Sequence, residues 1–282
     1  MRLLAIGLAI AIGLLGTACD WRGPEPTDQL LTGAGPFGIG TISVPTSAGF
    51  GGGTIYYPTG NPGPFAVVSF SPGFLEQSGA FPGWGNKLAS HGFIAILFNT
   101  SNTSESPSTR STEQRQALTY VINQGQNPSS PIFGLVDGNR TAVMGHSMGG
   151  GASLISAQAD HSIDAVVPLA PWNSSTNFSG DTSPTLIVAC QNDGIAPVNS
   201  HASPFYNSIP STTKKEYLSV AGGDHFCAND PSLVGSGNIG KYAVAFLKRW
   251  LDTDTRYDPW TCGANKATAG SVFNEVRSNC PW

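Results

Sequence analysis

The sequence predicts an α/β fold: a central, mostly parallel twisted sheet with helices on both faces. Three observations carry that expectation. Continuous apolar runs such as Phe65-Ala66-Val67-Val68-Ser69-Phe70 and Phe93-Ile94-Ala95-Ile96-Leu97-Phe98 show no polar face, as expected of strands covered on both sides. Stretches with helical spacing alternate with those runs. Loops carrying Gly, Pro or Asp follow the runs, at the carboxyl ends where functional groups of open α/β sheets collect. At 282 residues the chain is long enough to bury a substantial core.

Taken in order, Arg2 precedes the apolar stretch Leu3 to Leu15, too short to span a bilayer comfortably, so residues 1–18 read as a signal segment. Leu15-Gly16-Thr17-Ala18-Cys19 resembles a bacterial lipobox with Gly16 in place of the usual leucine. Lipidation of Cys19 and ordinary cleavage after Ala18 both stay open; membrane attachment would run only through a lipidated Cys19. Residues 19–34 contain Pro24 and Pro26 without an apolar period and are expected to form a linker, with one domain over 35–282.

That domain begins with strand-like runs Ile39 to Val44 and Thr54 to Tyr57, separated by Gly49, Gly51, Gly52 and Gly53, which suit a hairpin or bulged edge. The run from Phe65 ends in Ser71-Pro72-Gly73-Phe74, and helix-compatible sequence follows from Trp84 to His91. After the strand from Phe93, Thr112 to Asn123 carries the stripe Ala117, Leu118, Val121 and Ile122. Strand Thr141 to Met144 precedes helix Met148 to Ala159. Strands Ala165 to Leu169, Thr185 to Ala189 and Glu216 to Val220 end in Ala170-Pro171-Trp172, Gln191-Asn192-Asp193 and Gly222-Gly223-Asp224-His225. Ile239 to Leu251 forms a C-terminal helix.

Composition narrows the partners. Charged residues make up 11%, against about 25% in ordinary soluble domains. The net charge is −4 and no Lys/Arg cluster occurs, which argues against nucleic acid. A surface of Gly, Ser, Thr, Asn and Pro suits an exported protein with an uncharged or polymeric substrate. The five cysteines are Cys19, Cys190, Cys227, Cys262 and Cys280, and an exported chain should pair its thiols. If Cys19 is lipidated, four remain, and three pairings stay open. No H-E-x-x-H spacing and no phosphate-binding glycine motif occurs, so no metal and no cofactor is expected.

Gly145-His146-Ser147-Met148-Gly149 fits the G-x-S-x-G nucleophile elbow, a sharp strand-to-helix turn with serine at its apex. Among 35 glycines the pattern alone is weak, so its context decides. A serine hydroxyl needs an adjacent base; His91, His146 and His161 lie before or too near the elbow to follow an acid in the order Ser…Asp/Glu…His, which leaves His201 and His225. His201 lies in a polar stretch and reads as a solvated surface residue, which favours His225. Asp193, just past an apolar strand, is the acid expected to orient the imidazole. Its competitors are weaker: Asp164 precedes its strand, Asp181 falls in a polar loop and Asp224 shapes the turn beside His225. An oxyanion hole needs two N–H donors, expected from Met148 and Phe74. Trp172, beyond another strand end, would line the site or cap the core.

The stretches SPGF (71–74), LASHGF (88–93), GHSMGGG (145–151), APWNSSTNF (170–178), NDGIAPV (192–198), GGDHFCAN (222–229) and DTRY (254–257) together resemble bacterial cutinases and poly(ethylene terephthalate) hydrolases. The resemblance runs from about Gly38 to Cys280 and implies an α/β-hydrolase fold without a lid domain. It implies the triad Ser147, Asp193 and His225, oxyanion donors Phe74 and Met148, and an open groove lined by Phe74, His146, Trp172, Ile195 and Phe226. It also implies disulfides Cys190–Cys227 and Cys262–Cys280, leaving Cys19 unpaired. The implied activity is that of a secreted or envelope-anchored monomeric serine esterase on cutin, aliphatic polyesters, poly(ethylene terephthalate) and short acyl esters. Two positions depart from the best-known plastic-degrading member, which has Trp where His146 stands and Ser where Phe226 stands. The loop from Ala228 to Asn238 also reads as extended. A triacylglycerol lipase is the alternative, disfavoured because no lid-like apolar segment lies between Trp172 and Thr185. A non-catalytic polymer-binding surface protein would not need so complete a constellation.

Overall fold

The computed structural model describes residues 21–232, 238–270 and 272–282. The expected signal segment and Cys19 lie outside these residues, as does part of the loop expected to be extended. All eight expected strands form: β1 (Gly38–Val44), β2 (Gly53–Thr59), β3 (Phe65–Ser71), β4 (Phe93–Phe98), β5 (Val136–His146), β6 (Ala165–Leu169), β7 (Thr185–Cys190) and β8 (Lys215–Val220). A ninth, β9 (Phe273–Ser278), joins them. The helices are α1 (Asp28–Thr32), α2 (Pro82–Ser90), α3 (Pro107–Gln126), α4 (Met148–Ala159), α5 (Ala202–Ser208), α6 (Asn238–Leu251) and α7 (Asp258–Thr261).

The strands make one sheet in the order β1-β2-β4-β3-β5-β6-β7-β8-β9. Its interior from β4 to β8 is parallel, while β1, β2 and β9 run antiparallel at the edges. Alternation along each interior strand splits the core in two. Ala66, Val68, Phe70, Met144, Leu186 and Val188 point to the face covered by α2 and α6. Phe65, Val67, Val143, Ile187 and Ala189 point to the face covered by α3, α4 and α5. Both faces are apolar because both are covered, which is why these runs show no two-residue period in sequence.

Chain direction across the sheet reverses at β3: β4 lies on one side of it and β5 on the other. The loops after β3 and β5 therefore diverge and leave a crevice beyond their carboxyl ends. Register aligns the openings, with Ser71 beside Gly145 and Cys190 beside Val220. The loops holding Phe74, Ser147, Asp193 and His225 leave the same end of the sheet.

Two expectations need correction, and one strand was unforeseen. Residues 19–34 were expected to be a linker, yet α1 forms within them and Leu31 is fully buried. The buried Lys87 Nζ donates to the carbonyls of Leu31 and Gly33 at 2.6 and 2.5 Å, and the Arg140 guanidinium lies 4.3 Å over the Trp21 ring. One buried Leu in a five-residue helix leaves no periodic trace, and its partners are distant in sequence. Strand β9 gave no signal either, because an edge strand with one fully buried apolar residue, Phe273, reads as polar chain. Asp181 lies in a polar loop as expected, and within it is fully buried, accepting from Ser183 N–H and Thr185 Oγ1. His201 is half-buried rather than a surface residue, its ring centroid 5.7 Å from Trp172 and 5.8 Å from Phe205.

Candidate active site

The elbow follows from close approach. A Cβ on Gly149 would lie 2.1 Å from the Ser71 carbonyl oxygen, and one on Gly145 would lie 2.4 Å from that of Gly149, so neither position admits a side chain. Between them Ser147 adopts φ 55°, ψ −119°, a left-handed-side conformation costing about 1–3 kcal/mol for a residue with a Cβ. Backbone hydrogen bonds hold it: Ser147 N–H donates to Leu169 O at 2.9 Å, while Trp172 and Gly151 N–H donate to Ser147 O. Helix α4 starts at once, so its positive end and first N–H groups face the ground above Ser147.

His225 sits in the loop after β8 with Nδ1 2.7 Å from Asp193 Oδ2. The other carboxylate oxygen, Oδ1, accepts from the N–H groups of Ile195 at 2.9 Å and Ala196 at 2.7 Å. Burial opposes ionisation of Asp193, but the His225 hydrogen bond and these backbone donors outweigh it and hold the carboxyl below its ordinary range. An ionised carboxylate only accepts, so His225 Nδ1 carries the proton and, in the neutral ring, Nε2 is left with a lone pair. Asp224 serves its turn, accepting from Phe226 N–H at 3.0 Å.

Ser147 and His225 line one cavity of about 300 Å³, together with Phe74, Glu76, His146, Ile195 and Phe226. Phe74, Ile195 and Phe226 form its rim and are about half exposed, at 48, 56 and 49%. Leu75, 66% exposed beside Phe74, extends the apolar surface and was not foreseen. The Phe74 loop is fixed on both sides of its N–H: Gly73 N–H donates to Glu76 Oε2 and Leu75 N–H to the Thr103 carbonyl, both at 2.8 Å. Arg110, on α3, also holds it through the Pro72 carbonyl at 3.0 Å.

Two expected groove residues sit differently. Trp172 is half-buried with its ring against His201, outside the set lining the cavity. His146 belongs to the floor: it is 1% exposed, and both of its ring nitrogens are engaged, Nδ1 by Glu76 Oε2 at 2.8 Å and Nε2 by the His225 carbonyl at 2.9 Å. Glu76 went unnoticed in the sequence because nothing local marks it; its partners come from β5 and the β8 loop. Gln114 was missed for the same reason, although its buried amide donates to Met144 O, Ser69 O and Ser153 Oγ, joining β3, β5 and α4 under the elbow.

Two disulfides form, Cys190–Cys227 and Cys262–Cys280. The first joins the end of β7 to the His225 loop, and the second ties the end of β9 to the turn after α7. Among the described residues no group of three or more His, Cys, Asp or Glu could hold a metal ion. No helix among them is long and apolar enough to cross a membrane.

Comparison with known proteins shows the family. Residues 17–281 match the family model described as PET hydrolase-like. Cutinase 1 of Thermobifida cellulosilytica is 43% identical over 264 residues, covering 93% of this chain and 98% of its own. A cutinase of Thermobifida fusca is also 43% identical, covering 93% and 85%. A bis(hydroxyethyl) terephthalate hydrolase of Streptomyces coelicolor is 38% identical over 295 residues, covering 99% and 92%. The chain belongs to the PET hydrolase-like family.

Proposed function

We propose that this member of the PET hydrolase-like family cleaves its esters with Ser147 as nucleophile, His225 as general base and Asp193 as the group that orients and stabilises His225. The chain is a cutinase-type carboxylic ester hydrolase. The observation that carries the assignment is the 2.7 Å His225–Asp193 hydrogen bond at the cavity that Ser147 shares.

The chemistry follows from the tautomer. Ser147 Oγ attacks the ester carbonyl carbon as its proton passes to His225 Nε2. Negative charge develops on the carbonyl oxygen, where the N–H groups of Phe74 and Met148 stabilise it. The carbon–oxygen bond to the alcohol breaks, the alcohol takes the proton from Nε2, and an acyl-Ser147 remains. Water, losing a proton to Nε2, attacks the acyl carbon; the acid departs and Ser147 recovers its proton.

The relatives' names supply the substrate class: cutin-type polyesters and bis(hydroxyethyl) terephthalate. Phe74, Ile195 and Phe226 suit it, offering an open apolar rim on which an aromatic or aliphatic diester can lie. The chain between β6 and β7 contains no helix that could serve as a lid, which favours an extended polymer over a triglyceride. Two disulfides fit an oxidising compartment, and with the N-terminal signal segment they support export, either free or held through Cys19.

Replacing Ser147 with Ala tests the assignment on bis(hydroxyethyl) terephthalate and a short-chain nitrophenyl ester. The expected result is a fall in kcat of about 10⁴-fold or more with the fold intact. Wild-type turnover by the Ala variant overturns it.

A further inference from the structure

Beneath the cavity lies a second carboxylate–histidine pair. The His225 carbonyl can only accept, so His146 Nε2, 2.9 Å away, must carry a hydrogen. Nδ1 faces Glu76 Oε2 at 2.8 Å, and the same oxygen accepts Gly73 N–H at 2.8 Å. Asn229 Nδ2 lies 3.4 Å from the other oxygen. Burial opposes ionisation of Glu76, yet the hydrogen bond and charge of His146, with the Gly73 N–H, outweigh it and hold the carboxyl below its ordinary range. Glu76 Oε2 thus meets two nitrogens at once, His146 Nδ1 and Gly73 N–H, while Nε2 of the same ring holds the His225 carbonyl.

We propose that Glu76 is a positioning residue for ester hydrolysis: its carboxyl group fixes the His146 ring through Nδ1, and the pair clamps the His225 main chain and the Phe74 loop to the end of β5. The proposal rests on the reading of Ser147, Asp193 and His225 given above. Three loops meet at the pair: Gly73 beside the Phe74 donor, His146 beside the nucleophile, and His225 with Asn229 on the β8 loop. The His146 and His225 rings are 4.8 Å apart by centroid. The other charged groups about the pair are Asp193, through His225, and Arg110 near Glu76.

An amide cannot take over this role. With its oxygen in place of Oε2, a glutamine still accepts from Gly73, but a neutral His146 that donates from Nδ1 then turns a lone pair toward the His225 carbonyl. With its NH₂ there, it opposes Gly73 N–H. Either way one of the three links is lost.

Two measurements test this. In ¹⁵N-histidine-labelled wild-type protein, His146, assigned by through-bond correlation to its own backbone, should carry a hydrogen on Nε2. In Glu76→Gln, kcat should fall about 10–100-fold with KM within about twofold, because the apolar rim is untouched while the base is displaced. The Glu76→Gln/His146→Asn double variant should be no slower than the slower single variant. A His146 Nε2 without a hydrogen in the wild type, or wild-type kcat in folded Glu76→Gln, overturns the proposal. If the variants do not fold, the wild-type spectrum still decides. Activity surviving in Ser147→Ala overturns the catalytic reading instead, whereas loss there with full activity in Glu76→Gln overturns this proposal alone.

Discussion

Two regions of this molecule are closed by disulfides, and they differ in what the bridge holds. Cys190–Cys227 spans 37 residues and joins two buried cysteines at the site end of the sheet. Cys262–Cys280 spans 18 residues and ties half-buried cysteines at the β9 edge. On loop length alone the chain-entropy model assigns them about 3.8 and 3.2 kcal/mol, a difference of only about 0.6 kcal/mol. Stability therefore hardly separates them; position does. Between the first pair of cysteines lie Asp193 and His225, whose loops are further joined by Asn192 N–H to Gly223 O at 2.7 Å. Around the second lie packing contacts: Trp282 against Trp250 at 5.2 Å, and Asn279 holding the β8 entry through Lys215 N–H at 2.9 Å.

The largest expected effect breaks the site region without touching its bridge. Asp193→Asn should lower kcat about 10³–10⁴-fold while leaving the melting temperature near wild type, because an amide no longer enforces the Nδ1–H tautomer. Steady-state kinetics beside a thermal melt checks both halves. Next comes the bridge itself. Cys190→Ser/Cys227→Ser should cost about 4 kcal/mol, roughly 8–15 °C in Tm, and lower kcat several-fold at 25 °C as the two loops loosen. Cys262→Ser/Cys280→Ser should cost about 3 kcal/mol yet leave kcat within about twofold. Equal losses of activity in the two double variants would erase the distinction drawn between the regions.

The smallest effect sharpens the edge region. Glu216 on β8 lines a cavity with Lys266, Thr268 and Ser278, and its buried Oε1 lacks a hydrogen-bond partner among the described residues. Burial pushes its carboxyl up from 4.5 to about 8, only partly offset by Lys266. The folded state thus holds a proton that the unfolded chain releases above about pH 4.5, so stability falls as pH rises through 8. Glu216→Gln should raise Tm by roughly 2–6 °C at pH 9 and change it by about 1 °C or less at pH 4. A benefit of equal size at both pH values would show that ionisation is not its cause.

Legibility in the sequence followed the range of the signal. The interior strands β3 to β8 were readable because burial on both faces makes each a local apolar run. Helix α4 was readable because the elbow marks its start. Strand β9 and α1 were not, since each has a single fully buried apolar residue and owes its place to distant partners: β8 for the strand, Lys87 and α6 for the helix. In the site, chain order and strand ends sufficed to nominate Ser147, Asp193 and His225. Glu76 had no such marker, and His146 looked like a groove residue although its nitrogens face inward.

By itself the sequence determined an α/β sheet, a serine elbow, a candidate acid and base in a workable order, and a family resemblance that implied both disulfide pairings. These rest on local patterns, which a chain carries wherever it folds. Only the tertiary structure decided which acid meets which histidine, that the Trp172 ring packs beside His201, and that Glu76 and His146 join three loops under the nucleophile. Asp193 and His225 are 32 residues apart, Glu76 and His146 are 70 apart and His146 and His225 are 79 apart, and hydrogen-bond partners at such separations are set by the register of the sheet.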